Sequence, residues 1–293
     1  MKMVKRALAA GAVLLAGSAP AMAAWSDINL RVGVTPLSRE IYGLHMLILW
    51  ICVAIAVAVF SVMIYSIVTF RKSKGAVPAT FDHSTTAEVV WTLIPALILI
   101  AMAIPAARTL VRIDDTRNSD LTIKVTGYQW KWQYEYVGEG VAFFSTLARD
   151  SDSARQVGSG VDPYAVPNYL LEVDHPLVVP QGRKVRVLVT AADVIHAWWV
   201  PDFGMKKDAI PGYINELWFN AERPGVYRGQ CAELCGRDHG FMPVVVEVKP
   251  QAEFDAWLVS QKAAMQASKA PAAKVAQGMS RDEQTTLRVA NAE

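Results

Sequence analysis

Cysteine is scarce in this chain, with three among 293 residues, and histidine is hardly commoner at five. The segment C-x-x-C-H does not occur, which excludes haem attached covalently in the c-type manner. Charge is thin as well, at 19% of residues against 53% hydrophobic. The formal net charge is only +2, and from Asp114 onward 19 basic residues face 23 acidic ones. That balance excludes a basic nucleic-acid-binding surface and suits a basic protein partner instead. No internal repeat is found. The longest absence is of charge itself: Leu44 to Phe70 is 27 residues without Asp, Glu, Lys or Arg, and Val89 to Ala107 is another 19.

At about 1.5 Å per helical residue the first of these runs exceeds a hydrocarbon core of roughly 30 Å, so it spans a membrane. The second holds Pro95 and Pro105, which spanning helices tolerate when neighbours satisfy the freed backbone groups. A soluble helical hairpin would need an equal apolar cover, which the rest of the chain lacks. The pattern predicts a two-helix transmembrane hairpin over 44–110, with helices at about 44–70 and 88–110 and a loop at 71–87. Ahead of it, Lys2, Lys5 and Arg6 precede an apolar run and Ala21-Met22-Ala23, the pattern of a signal peptide cleaved after residue 23. A retained anchor is the alternative, but the run is too short to span. Export puts the segment 24–43 outside, the loop 71–87 in the cytoplasm and everything beyond 110 outside again. Arg71, Lys72 and Lys74 agree with the positive-inside rule while Arg108 and Arg112 oppose it, so the signal decides the orientation.

From Leu121 the texture changes to short β-branched runs between turn residues, as in "LTIKVTGY", "RKVRVLVTAAD" and "MPVVVEVKP". This predicts an all-β antiparallel sandwich or Greek-key barrel over 114–250. The Gly/Ser/Asp-rich stretch 138–166 is expected to be a surface loop. Phe254, Trp257 and Leu258 predict an amphipathic helix over 251–267, and the Ala/Lys/Gln-rich remainder 268–293 a disordered tail. Tyr128, Trp130, Trp132, Tyr134 and Tyr136 alternate with polar residues, which puts five aromatics on one face of a strand, as barrel core by the pattern, with a functional platform as the alternative.

Two of the three cysteines open the pattern C-x3-C-x3-H-x2-M: Cys231, Cys235, His239, Met242. In an exported domain two cysteines ordinarily form a disulfide, but so short a bridge would leave the histidine and methionine unexplained. Thiolate and thioether together favour copper over hard cations. A further ligand must come from elsewhere, and His196 in "DVIHAWWVP", at a strand end, is the candidate. One Cys, two His and one Met would make a mononuclear blue-copper site, whereas both cysteines could bridge two coppers with one histidine for each.

"GQCAELCGRDHGFMP" together with "DVIHAWWVPDFGMKKDAIPGYIN" resembles subunit II of cytochrome c oxidase of the bacterial type, over nearly the whole mature chain. The resemblance implies a cupredoxin domain carrying the binuclear CuA centre. His196, Cys231, Cys235, His239 and Met242 would bind its two copper ions by side chains and Glu233 by its backbone carbonyl. The Glu233 carboxylate would share a magnesium ion with subunit I. Trp130 would accept the electron from cytochrome c, which docks on the acidic residues Glu135, Asp174 and Asp193. Glu88 would open a proton pathway; Thr85 and Glu88 also have the spacing of a helix capping box. Other oxidase subunits and membrane lipid would be the remaining partners, and the protein would lie in the bacterial inner membrane with its copper domain periplasmic. Tyr128 and Lys131 depart from the more familiar "GHQWYWSYEY" of the family.

Rival readings fit less well. A membrane-tethered copper chaperone has one helix and a thioredoxin-like domain, a quinol oxidase subunit lacks the ligands, and a nitrous oxide reductase lacks the hairpin. The spacing is poor for a Cys2His2 zinc site.

Overall fold

The computed structural model describes residues 28–278, so the expected signal peptide lies outside the described residues. Of the described residues, 28–31 fall in a separate unit; the second unit, from Val32 onward, holds both long helices and the β domain.

Helix α1 runs Pro36–Thr69 and begins eight residues before the uncharged run, inside the segment expected to be a plain outer extension. Its start is set by "TPLS": the Thr35 hydroxyl accepts from Ser38 N at 2.9 Å, Thr35 N donates to Ser38 Oγ at 3.1 Å, and Pro36 occupies the first turn. Helix α2 runs Thr85–Ile113. Its cap is Ser84, whose hydroxyl accepts from Ala87 N at 3.4 Å, so the expected Thr85–Glu88 box is not formed. Glu88 instead sits in the first turn, where its charge favours the positive helix end.

Both helices are long and apolar enough to cross a membrane. With 34 residues α1 is about 50 Å long, well beyond a hydrocarbon core of roughly 30 Å, so its N-terminal turns stand outside. There they dock on the β domain. Thr35 Oγ1 donates to Phe203 O at 2.9 Å, Arg39 pairs with Glu222 at 2.7 Å, and Glu40 receives both Thr109 Oγ1 and Arg112 of α2 at 2.7 and 2.6 Å.

The β domain is two five-stranded sheets. The first has the order β3-β2-β1-β5-β8, from Val141–Ser145, Lys131–Tyr136, Leu121–Tyr128, Val185–Ala191 and Asn215–Phe219. The second has the order β4-β10-β9-β6-β7, from Leu177–Pro180, Pro243–Lys249, Gly225–Cys231, His196–Val200 and Met205–Ala209. Strand β1 pairs parallel with β5, and β4 with β10; the other named pairs are antiparallel. The inner faces alternate as the pattern predicts, with Val185, Val187 and Val189 buried on β5. Trp132, Tyr134 and Tyr136 are at most 1% exposed, and burying each such ring contributes on the order of 2–3 kcal/mol.

Three expectations need correction. The five aromatics do not share one strand: β1 ends at Tyr128, β2 begins at Lys131, and Trp130 lies in the turn between them. The stretch 138–166 is not one loop. It contains β3, which pairs with β2 because Val141 and Phe143 add to the same apolar face, and a short helix α3, Arg149–Ala154. The last helix, α4, runs Gln251–Gly278, beyond the predicted end at 267; its added residues are rich in alanine, the strongest helix former. Residues 279–293 of the expected tail lie outside the described ones.

Candidate metal centre

Sheet order alone brings the distant candidate ligands together. Strand β6 begins at His196 and β9 ends at Cys231, with Trp198 paired to Cys231 across them. The chain then loops through Cys235 and a 3-10 turn, His239–Phe241, and Met242 leads into β10, which returns beside β9. Cys231 N donates to Met242 O at 3.0 Å, closing the loop at its base.

Cys231 and Cys235 are free thiols with sulfurs 3.8 Å apart, so the disulfide alternative is not realised. Cys231 Sγ lies 3.9 Å from His196 Nδ1, and Cys235 Sγ lies 3.6 Å from His239 Nδ1. The backbone oxygen of Glu233 is 3.4 Å from Cys231 Sγ, while its side chain is exposed. His196, Cys231, Cys235 and Met242 are at most 3% exposed. The ligand atoms of His196, Cys231 and Cys235 all lie within 4.8 Å of one another.

The far side of His196 faces Asp193, with Nε2 to Oδ1 at 2.9 Å. A donor bond there places the ring proton on Nε2 and leaves Nδ1 as the electron pair aimed at the sulfurs. Asp193 also accepts from Gln129 N at 2.7 Å and Val194 N at 2.7 Å. Burial works against its charge, but the His196 and backbone hydrogen bonds outweigh burial and hold its pKa below the usual carboxylate range. Burial likewise disfavours charge on His196, yet Cys231 and Asp193 raise its pKa.

The thiols respond oppositely. Burial disfavours the Cys231 thiolate, but His196 and hydrogen bonding at Glu233 and Ala197 bring its pKa down to about 7. Burial and then the charge of Cys231 push Cys235 up to about 12. Two buried sulfurs this close resist a second negative charge unless a cation joins them, which fits a thiolate-bound metal. The donor set of two thiols, two imidazoles, a thioether and a carbonyl is soft and suits copper.

Trp130 is half-buried, and its indole N–H donates to Cys235 O at 3.2 Å; Gln129 Nε2 donates to the same oxygen at 3.0 Å. The Arg237 guanidinium lies 5.6 Å from the Trp130 ring. The other expected site residues lie apart from the cluster. Glu135 is exposed on β2, 3.9 Å from Lys124, and Asp174 accepts from Thr146 N and Oγ1 at 2.7 and 2.8 Å. Glu88 is exposed at the start of α2.

Sequence reasoning missed Gly127 and Gln129, and saw Asp193 without its histidine. A Cβ on Gly127 would stand 2.7 Å from His196 Cδ2, so only glycine lets β1 pass the ring. Glycine inside a strand pattern marks such a close approach and could have drawn attention. Gly236, at φ +120°, turns the ligand loop where a side chain would press on Gln129 and Trp130 at 3.1 Å.

The model of the cytochrome c oxidase subunit II periplasmic domain matches residues 121–249, and that of the subunit II transmembrane domain matches residues 23–108. This chain belongs to the cytochrome c oxidase subunit II family. A probable cytochrome c oxidase subunit 2 of Rickettsia bellii is 39% identical over 236 residues, which is 80% of this chain and 84% of that one. Cytochrome c oxidase subunit 2 of Cereibacter sphaeroides is 39% identical over 241 residues, 78% of each. Among solved structures, the periplasmic domain of subunit II of cytochrome oxidase from Bradyrhizobium japonicum is 43% identical with a TM-score of 0.45, covering 51% of this chain and 99% of that one. As a subunit II the chain is part of a cytochrome c oxidase, a membrane protein with an external β domain, and the subunit II domain implies copper at the cluster described.

Proposed function

We propose that this chain is the electron-accepting subunit of a respiratory oxidase in the bacterial inner membrane, taking electrons from cytochrome c at a binuclear copper centre on the periplasmic side and delivering them to haem in subunit I for the reduction of oxygen to water. The observation that carries the reading is a pair of buried thiols 3.8 Å apart, each with its own imidazole at 3.9 and 3.6 Å. Two sulfurs so placed suit a bridged metal pair better than a single blue-copper ion, which needs one. His196, Cys231, Cys235, His239, Met242 and the Glu233 carbonyl would hold the two coppers. Bound there, the pair supplies a one-electron carrier whose charge is shared over two metals, so that little has to move on reduction.

The chain's own residues do the rest. Asp193 orients His196, and the β6, β9 and β10 strands set the positions of the residues that would hold the metal. Burial excludes water from the sulfurs. Trp130, half-exposed at one edge and bonded to Cys235 O, offers the route from the donor protein to the ligand loop. Glu135 and Asp174 are the acids offered to cytochrome c; Asp193 we assign first to the histidine. The exposed Glu233 carboxylate would take a magnesium ion shared with subunit I, and Glu88, at the cytoplasmic end of α2, would open a proton pathway.

The test is to load the purified full chain with copper and measure metal content together with its electron paramagnetic resonance spectrum. Two coppers sharing one unpaired electron are expected. One copper per chain with a single-ion spectrum, or a Cys231–Cys235 disulfide that survives reconstitution, overturns the reading.

A further inference from the structure

The helix α3 and the residue that ends it lie outside every ligand, yet they grip the ligand loop. Arg155 caps α3 and is only 23% exposed in its side chain. Its Nε donates to Asp152 Oδ1 at 2.7 Å, within α3 itself. Its Nη1 donates to Asp238 Oδ1 at 3.4 Å, and the face of its guanidinium lies 4.3 Å from the Phe241 ring. Asp238 immediately precedes His239, and Phe241 immediately precedes Met242. One planar cation therefore touches the chain on both sides of the 3-10 turn that presents the histidine. Asp238 makes no side-chain cap, and the other bonds that hold the turn are backbone ones: His239 N to Gly236 O at 3.2 Å, Phe241 N to Asp238 O at 3.0 Å and Cys231 N to Met242 O at 3.0 Å. The other oxygen of Asp238 faces Arg237 at 3.4 Å, whose guanidinium approaches Trp130.

We propose that Arg155 is a positioning residue for the metal centre: the segment between β2 and β4 carries it as a clamp that holds the His239–Met242 turn against the sulfurs and, through Asp238 and Arg237, sets the attitude of Trp130. Lysine is a poor substitute, because it keeps the charge and loses the flat face that stacks on Phe241. The inference rests on the copper reading only for its spectral consequences; the clamp's own contacts are between protein groups alone, which keeps the two failures apart.

The experiment compares the full chain in detergent with Arg155→Met, Arg155→Lys and Asp238→Asn. In the metal-free proteins, hydrogen exchange at 236–242 is expected to quicken by roughly fivefold or more in Arg155→Met, less in Arg155→Lys, while strands β5 and β10 keep their protection, as expected for loss of a partly buried charged bond. Copper-loaded Arg155→Met should show changed hyperfine splitting and lose metal faster to a chelator. Unchanged exchange at 236–242 in Arg155→Met overturns the clamp, whatever the spectrum. Loss of protection throughout the β domain in Arg155→Met, with Asp238→Asn behaving as the parent chain, also overturns it, because the arginine would then serve the fold rather than the loop.

Discussion

Replacing Gly127 by alanine adds one methyl group at the back of a ligand. The new Cβ would stand 2.7 Å from His196 Cδ2, 2.9 Å from Cγ and 3.2 Å from Cβ. Ordinary carbon contacts begin near 3.5 Å, so ring and strand must part by about 0.8 Å. The strand resists, since Gly127 pairs with Trp132 of β2 and Ala191 of β5 and its carbonyl accepts from Ala192 N at 3.0 Å. The ring resists too, held by Asp193 at 2.9 Å and by the edge of Trp132 at a centroid distance of 5.9 Å. Overpacking of this kind costs about 1–3 kcal/mol, and the backbone adds nothing, because Gly127 is not at positive φ. The ring must therefore move toward the sulfurs or tilt. Thermal unfolding followed by circular dichroism should show the metal-free variant destabilised, and chelator competition should show copper affinity lower by roughly tenfold or more, the scale seen when the support of a ligand is lost. A variant whose stability stays within about 0.5 kcal/mol of the parent and whose copper spectrum is unaltered would refute the steric argument.

Four further outcomes can be checked. Asp193→Ala removes the acceptor at His196 Nε2 and should weaken copper retention by about 10–100-fold in chelator competition; unchanged retention would count against its orienting role. In the metal-free chain, thiolate absorbance should rise by one group as pH climbs through about 7, where Cys231 loses its proton, while Cys235 stays protonated until near 12. Two thiolates titrating together near pH 9 would contradict that. Trp130→Phe keeps a ring and removes the N–H that meets Cys235 O; stopped-flow reduction by cytochrome c should slow while the copper spectrum is kept, and an unslowed rate would remove Trp130 from the route. Glu88→Gln should lower turnover of the assembled oxidase and leave the copper spectrum alone; full turnover would end the proton-pathway assignment.

The spanning helices were legible in the sequence because a membrane demands about 20 apolar residues in a row, a demand written in consecutive letters. The four candidate ligands from Cys231 to Met242 stood out for a similar reason: they share one loop, and their chemistry is rare. The strands showed as alternation. Periodicity could not show where β1 ends, so five alternating aromatics looked like one strand when Trp130 actually sits in the turn of a hairpin. Nor could it show that α1 starts at Pro36, because the cap that begins the helix lies outside the apolar run.

What only the tertiary structure decided are relations between residues far apart in the chain. His196 stands 35 residues before Cys231, and only the pairing of β6 with β9 brings its Nδ1 to the sulfur. Gly127 matters because β6, a strand of the opposite sheet, brings the His196 ring against the backbone of β1. Asp193, which as a letter is one more surface acid, becomes the group that orients a ligand. Composition and spacing determine which atoms can bind copper; the order of strands in two sheets determines which of them meet, because contact across a sheet depends on register and not on distance along the chain.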